Sequence, residues 1–368
     1  MRATLQRFAR ETGDGYVLGL VRVVIGGLLL WHSLGSAREL MTNGYFGDGF
    51  HLPVLPERLV LPRAAYTVLT AGRILLAVLV LVGHRARPAL LASALLAIYV
   101  LLCDRVEYHN NRYALALYAL LLSLTPCDRS YVLAAPAASA DARLGPLWAA
   151  RLAQLQASLV YVASGGSKLL DDDWRNGLVL ADRVRRYGGQ AIAKGVPEGI
   201  VSFVGRADVS SATAKLAIMT ELLLAVGLWS RRARVVALWW GVWFHLVIQI
   251  TSKVEIFTWL TLAVYALFVT HDHKARRLRY DPSRLKGRAL AALARTFDWF
   301  GRFEVKAWEP DDIVRSHSVV IVRRDGTPAT GVRALAMAAR CIPALFPLWA
   351  PIALVASFTR GGEASSRA

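Results

Sequence analysis

The sequence predicts an all-α polytopic membrane bundle of about eight transmembrane helices, followed by a small C-terminal α/β domain. Three observations predict it. The 368 residues are 55% hydrophobic and 19% charged, with a mean hydropathy of +0.40, a balance that soluble domains rarely reach. The apolar residues gather into eight runs, about 16–35, 64–83, 88–104, 111–126, 148–169, 213–229, 233–251 and 254–270. Beyond residue 279 the pattern changes to short alternating segments between turn residues.

Several runs fall short of the roughly 20 residues an isolated span needs, so bilayer thinning, polar ends or tilt must accommodate them. One such run would read as a buried helix of a soluble protein; eight in succession argue against that. Arg2, Arg7 and Arg10 precede the first run and no small-residue cleavage site follows it, so it reads as a retained helix. Basic residues set the orientation. Arg85 and Arg87, Arg129 and Arg143, Arg231, Arg232 and Arg234, and Lys274, Arg276, Arg277 and Arg279 share the N-terminal side if eight helices alternate. The positive-inside rule makes that side cytoplasmic, places both termini there and leaves the 170–212 connection outside. The expected location is the cell membrane, as a multi-pass protein.

The net charge of +18 could suggest nucleic acid, but the arginines flank apolar runs instead of lining a recognition motif. Membrane lipids are therefore the expected partner, and nucleic acid is not. Cys103, Cys127 and Cys341 form no CxxC pair, so no disulfide framework and no metal site is predicted.

This topology gathers polar residues at the outer mouth of the bundle. His109, Asn110, Asn111 and Arg112 lie between the third and fourth spans, with Asp104, Glu107 and Tyr108. Lys168 ends the fifth span in Ser164-Gly165-Gly166-Ser167-Lys168, where the glycines would let another backbone approach. His245 and Gln249, at i and i+4, share a face of the seventh span. Glu221 lies inside the sixth, and His32 near the outer end of the first. Ionisable groups at membrane depth are costly and usually face a protein-lined cavity. Each also has a plain structural reading: Lys168 snorkelling to the interface, His245 a hydrogen-bonded packing residue, Glu221 a partner for Arg22 or Arg73, and Asn110 and Asn111 caps of the fourth helix. A lysine at 168 works as a general base only when neutral, a state that desolvation favours and the carboxylates of Asp171, Asp172 and Asp173 oppose.

Several stretches in order carry a resemblance: Leu18-Gly19-Leu20-Val21-Arg22, Asn110-Asn111-Arg112-Tyr113, Ser164-Gly165-Gly166-Ser167-Lys168-Leu169 with Trp174 and Gly177, Thr220-Glu221-Leu222 and Phe244-His245. Over the first 270 positions the chain resembles the HTTM (horizontally transferred transmembrane) family, which is vitamin K-dependent γ-carboxylase-like. The resemblance implies that Lys168 matches a lysine that deprotonates vitamin K hydroquinone, so that the quinone, after reacting with O2, removes a glutamate proton. Where the carboxylase pattern reads Asn-Asn-His this chain has Asn110-Asn111-Arg112, with His109 displaced to the other side of the pair. The large extracytoplasmic region of the carboxylase has no counterpart in the 170–212 connection. Both departures argue against classical glutamate carboxylation.

In the tail, residues 279–282 read as the end of a strand, 285–300 as an amphipathic helix, 303–308 and 318–323 as strands, Asp325-Gly326 as a turn and 331–335 as the start of a helix. This order fits a thioredoxin-like domain and resembles the DCC (thiol-disulfide oxidoreductase-like) family. The family's Cys-x-x-Cys positions fall on Arg284 and Gly287 in Tyr280-Asp281-Pro282-Ser283-Arg284-Leu285-Lys286-Gly287. Without two thiols there is no dithiol to exchange, so the domain reads as a degenerate docking or stabilising unit. The apolar stretch 342–358 carries three prolines, which argue against an uninterrupted ninth span; it reads as a surface-lying or core-packed helix, with a re-entrant segment as the alternative.

The expected division is therefore 1–271, an HTTM-like membrane domain; 272–359, a degenerate DCC-like domain; and 360–368, a disordered tail. The expected function is a quinol-dependent enzyme using Lys168 as general base in an outer-leaflet pocket lined by His109, Asn110, Asn111, Arg112, Glu221, His245 and Gln249. The implied cofactors are a quinol of the vitamin K or menaquinol type and O2. The alternative is a non-enzymatic membrane partner in the export or maturation of a secreted peptide.

Overall fold

A computed structural model describes residues 10–106, 108–133, 144–251, 254, 256–269, 276–308, 318–323 and 325–358. The expectations for Arg2, Arg7, Glu107, Arg143, Lys274 and the 360–368 tail fall outside them. The chain forms two compact units, residues 1–229 with 244–270, and residues 230–243 with 271–368.

Each apolar run of the sequence folds as a helix. In order these are α1 Tyr16–Thr42, α2 Arg63–Val82, α3 Ala86–Cys103, α4 Asn110–Ser123, α5 Trp148–Leu170, α9 Ala207–Gly227, α10 Arg234–Thr251 and α11 Phe257–Leu267. Among the described residues five helices are long and apolar enough to cross a membrane by themselves: α1, α2, α3, α9 and α10. The other three of the eight expected spans fall short of that measure, and the reasons are local. α4 has 14 residues and α11 has 11, against the roughly 20 that span a hydrocarbon core. α5 has 23, but Arg151, Gln154, Gln156, Ser158, Ser164, Ser167 and Lys168 break its apolar surface.

Within the first unit the helix ends meet in two sets. At one end, β1 (Thr12–Asp14) pairs antiparallel with β2 (Leu144–Pro146), and Arg151 clasps both oxygens of Glu11 at 3.0 and 2.6 Å. The end of α2 joins this set through Leu133 N–H, which donates to Val82 O at 3.0 Å. At the other end, Asp104 after α3 accepts from Leu52 N–H at 3.0 Å, and Asn111 in α4 donates to Val254 O at 3.3 Å. Gly83 ends α2 at φ +83°, a left-handed conformation that glycine adopts without steric penalty.

The connection after α5 is itself helical, which the sequence reading did not anticipate. It comprises α6 Asp172–Arg175, α7 Leu178–Ala193 and α8 Glu198–Val204. Asp171 starts it by accepting from the N–H groups of Asp173 and Trp174 at 2.9 and 3.3 Å. Lys194, just past α7, donates to the carbonyls of Gln249 and Ile250 at 3.0 and 3.3 Å. A cation there suits the negative end of the α10 dipole.

The second unit carries a four-stranded sheet in the order β4-β3-β5-β6, where β3 is Arg276–Tyr280, β4 Phe303–Ala307, β5 Val319–Val322 and β6 Pro328–Thr330. β3 and β4 are parallel and joined through α12 (Leu285–Phe297); β5 runs antiparallel to both β3 and β6. Helix α13 (Gly331–Cys341) follows. Leu278 and Ile321 from the sheet pack with Ala291, Ala294, Ala334, Ala338 and Ile342 as its core. The expected succession of strand, helix, strand, hairpin and helix is thus present. The strand before the first helix is Arg276–Tyr280, so it ends two residues before the expected end at 282. The 342–358 stretch forms a 3-10 turn, Pro343–Leu348, and then α14, Trp349–Phe358.

Candidate functional site

Lys168 occupies the last turn of α5, facing α9. Its Nζ donates to Glu221 Oε1 at 2.5 Å and to Ser164 Oγ at 2.7 Å, and the Ser164 hydroxyl donates to the same carboxylate oxygen at 3.2 Å. The side chains of Lys168 and Glu221 are 17% and 8% exposed. Trp174 from α6 closes over the amine, its ring centroid 5.0 Å from Nζ; Arg183 of α7 lies 5.1 Å from the same ring. A cation over an indole face is attracted to the ring quadrupole by about 0.5–1 kcal/mol at exposed sites.

One glycine makes the pair possible. A Cβ at Gly165 would sit 3.0 Å from the Leu222 side chain and 3.3 Å from Glu221 Cβ, so its absence lets α5 and α9 approach at the depth of the carboxylate. Gly166 has nothing within 4 Å of that position. Only the first of the two expected close approaches exists.

Two turns before Lys168 along α5, Tyr161 starts a second group. Its hydroxyl lies 2.8 Å from His245 Nε2 and 2.6 Å from the Tyr265 hydroxyl, and Thr258 Oγ1 donates to the His245 carbonyl at 3.2 Å. Tyr161, His245 and Tyr265 are 5%, 1% and 4% exposed. Both groups draw on one helix, α5, which supplies Tyr161 to the second and Ser164 and Lys168 to the first. Among the described residues His245 Nδ1, Glu221 Oε2 and Gln249 Oε1 are buried without a hydrogen-bond partner. Buried polar atoms are normally satisfied; Glu221 Oε2 belongs to the first group, His245 Nδ1 to the second, and Gln249 lies one turn along α10 from His245.

The other expected residues lie elsewhere. His109 is exposed and caps α4, its Nδ1 accepting from Asn111 N–H at 3.3 Å; the cap assigned to Asn110 or Asn111 is therefore this histidine. Asn110 is exposed, and Asn111 is committed to Val254. Arg112 lies half-buried in the first turn of α4. Glu221 does not pair with Arg22 or Arg73, as one reading had it; its cation is Lys168. Sequence reasoning missed Tyr161, Tyr265 and Trp174 as members. Tyr161, Ser164 and Lys168 stand at i, i+3 and i+7, one helix face, and that spacing was the available signal.

The HTTM domain profile matches residues 11–273, well over half of the chain. The protein belongs to the HTTM domain family. No curated protein and no solved structure matches the chain at a significant level.

In this HTTM protein the Leu18–Arg22 stretch is structural. A Cβ at Gly19 would strike Ser130 Oγ, so α1 and the 127–131 segment touch there. One turn on, the fully buried Arg22 donates to five backbone carbonyls, those of Val80, Leu81, Cys127, Ser130 and Tyr131. Gly177 is structural too: at φ +81° its Cβ would come within 2.6 Å of the Ser210–Ser211 backbone at the start of α9. Gly177→Ala is expected to cost about 2–3 kcal/mol, from the left-handed backbone plus displacement of main chain that cannot rotate away. Gly166→Ala, with open space around it, is expected to be neutral or slightly stabilising. Thermal unfolding of both variants in detergent checks the contrast; equal midpoints would contradict it.

Proposed function

We propose that this HTTM protein is a membrane-embedded enzyme in which Lys168 is the general base toward a lipid-soluble quinol. The observation that carries the reading is the Lys168–Ser164–Glu221 contact, with Nζ 2.5 Å from a buried carboxylate oxygen. Over that distance one proton separates ammonium–carboxylate from amine–carboxylic acid. A general base must carry a free lone pair, so the pair reacts from its amine–carboxylic acid form. On accepting one further proton at Nζ, the pair becomes ammonium and carboxylic acid. Its net charge of +1 then stabilises the anion left behind. Ser164 holds the amine in register, and Trp174 limits water.

The residues fit a quinol. An apolar helical setting with a few convergent polar atoms is the general form of a small-molecule site, and the orphaned His245 Nδ1, Glu221 Oε2 and Gln249 Oε1 offer partners for ring hydroxyls. A bound quinol would supply a weakly acidic hydroxyl and, with O2 as acceptor, reducing equivalents. His245, fixed through Tyr161 and Tyr265, orients such a ring.

We read all eight apolar helices as spans, the short α4 and α11 being accommodated by their neighbours, with both termini cytoplasmic. The two sets of meeting helix ends support alternation. The β3-α12-β4 unit with its following hairpin and helix supports a thioredoxin-like, DCC-derived second domain. A dithiol role has no support: a Cβ at Gly287 would lie 2.6 and 2.7 Å from the carbonyl oxygens of Asp281 and Ser318, so no side chain is accommodated there.

The test is purification in mild detergent, lipid extraction and assay of menaquinol oxidation under O2. Co-purifying quinone and turnover above the protein-free rate are expected. Absence of both would remove the quinol reading and leave the alternative of a peptide-maturation partner.

A further inference from the structure

The last apolar segment of the second unit lacks backbone donors at a regular interval. Pro343, Pro347 and Pro351 recur every four residues, and a proline has no N–H for the carbonyl four residues before it. The carbonyl of Pro347 therefore cannot be bonded by residue 351. Two indoles take that place. Trp239 Nε1 donates to Pro347 O at 2.8 Å and Trp243 Nε1 to the same oxygen at 3.1 Å. A carbonyl has two lone pairs, and both are used. These residues belong to one compact unit.

The donors fix a depth. They sit on α10, which is apolar enough to cross a membrane and starts directly after Arg231 and Arg232, with Arg234 as its first residue. At ~1.5 Å per residue, Trp239 and Trp243 lie about 8 and 14 Å along the helix from Arg234. Half the hydrocarbon core is about 15 Å, and a tilt of about 20° shortens the depths only slightly. An arginine cluster at the interface thus puts Pro347 O inside the hydrocarbon. Loose backbone persists at that depth only when protein satisfies its polar groups, which is what the two indoles do.

We propose that residues 343–358 form a half-membrane element, docked on α10 and embedded in the leaflet at its Arg231–Arg234 end, with lipid acyl chains as its partner. The segment contains no charged residue. Leu348, Leu354, Val355 and Phe358 are 53%, 60%, 54% and 75% exposed, and Ala356 is the one residue of α14 that is buried. The Ser357 hydroxyl bonds locally to Leu354 O at 2.6 Å, leaving the apolar face uninterrupted. The 10 residues of α14 reach only about 15 Å, so the element enters one leaflet and does not make a ninth span.

The test places a nitroxide on Val355→Cys, and separately on Phe358→Cys, in the full chain reconstituted into phosphatidylethanolamine–phosphatidylglycerol vesicles. Cys103, Cys127 and Cys341 are all buried, so the wild-type protein serves as the labelling blank. Collision of each label with O2 and with a water-soluble nickel chelate is measured against a label at exposed Arg288→Cys. Oxygen collisions exceeding nickel collisions several-fold at 355 and 358, with the reverse at 288, is the expected result. Nickel collisions at 355 and 358 equal to those at 288 would put the segment in water and overturn the proposal. Low collision with both reagents would mean that protein covers this face, and would overturn lipid as the partner. In the Trp239→Phe, Trp243→Phe double variant, nickel access at 355 is expected to rise; unchanged access would remove the indoles from the anchoring.

Discussion

Lys168→Met is expected to abolish quinol oxidation and to destabilise the protein at once. Loss of a positioned base lowers turnover by about 10²–10⁴-fold. The structural effect has a separate cause. Removing the ammonium strands Glu221, whose carboxylate is 8% exposed and has one oxygen already without a partner. Breaking a buried pair in this one-sided way costs on the order of 3–5 kcal/mol, unless the carboxyl takes up a proton. Adding Glu221→Gln removes the stranded charge, so the double variant is expected to recover most of the melting midpoint and none of the turnover. Thermal unfolding and O2 consumption on the same preparations separate the two effects. Turnover in the folded double variant would end the assignment of Lys168 as base, whereas equal instability of single and double variants would end the account of the ion pair.

Arg22→Met is expected to be the most damaging single substitution outside the site. The guanidinium ties the end of α2, through Val80 and Leu81, to the 127–131 segment, through Cys127, Ser130 and Tyr131. No carboxylate is needed for this: the carbonyls ending α2 form the negative pole of that helix. A buried hydrogen bond from a charged donor is worth about 1.5–3 kcal/mol in soluble proteins, while bonds between membrane helices average nearer 0.6 kcal/mol. For five acceptors the loss is then roughly 3 kcal/mol at least, and the carbonyls of Val80, Cys127 and Ser130 are left behind buried. Arg22→Lys is expected to fall between, since an ammonium has no planar fork with which to reach both segments. The folded fraction recovered in detergent, with the unfolding midpoint, measures the series. A wild-type midpoint for Arg22→Met would refute the clamp.

Much of this was legible beforehand, for a definite reason. Hydropathy over a window of ~20 residues is a local property, so the helices of the bundle could be placed, although α1 continues to Thr42 and α9 starts at Ala207, both beyond the expected runs. The succession of strands and helices along the second unit followed from alternation and turn residues in the same way, whereas their order in the sheet did not. The helices of the 170–212 connection were not seen because they are short and mixed in polarity, although Asp171 followed by acidic residues is an N-cap signal. The site was half legible. Lys168, Glu221 and His245 were singled out by their charge at membrane depth. Asn110 and Arg112 were grouped with Lys168 because they share its end of the bundle, whereas the contacts of Lys168 go to Glu221, Ser164 and Trp174. Depth follows from position along a helix, but rotation about the helix axis does not.

By itself, then, the sequence determined that this chain enters a membrane, where its helices run and which ionisable residues sit where charge is costly. The tertiary structure decided which of those residues meet. Gly165 lets α5 settle against Leu222 of α9, and that packing turns Lys168 onto Glu221 and leaves Arg22 to the carbonyls. Helix rotation is set by contacts between residues distant along the chain, so only the assembled fold specifies it.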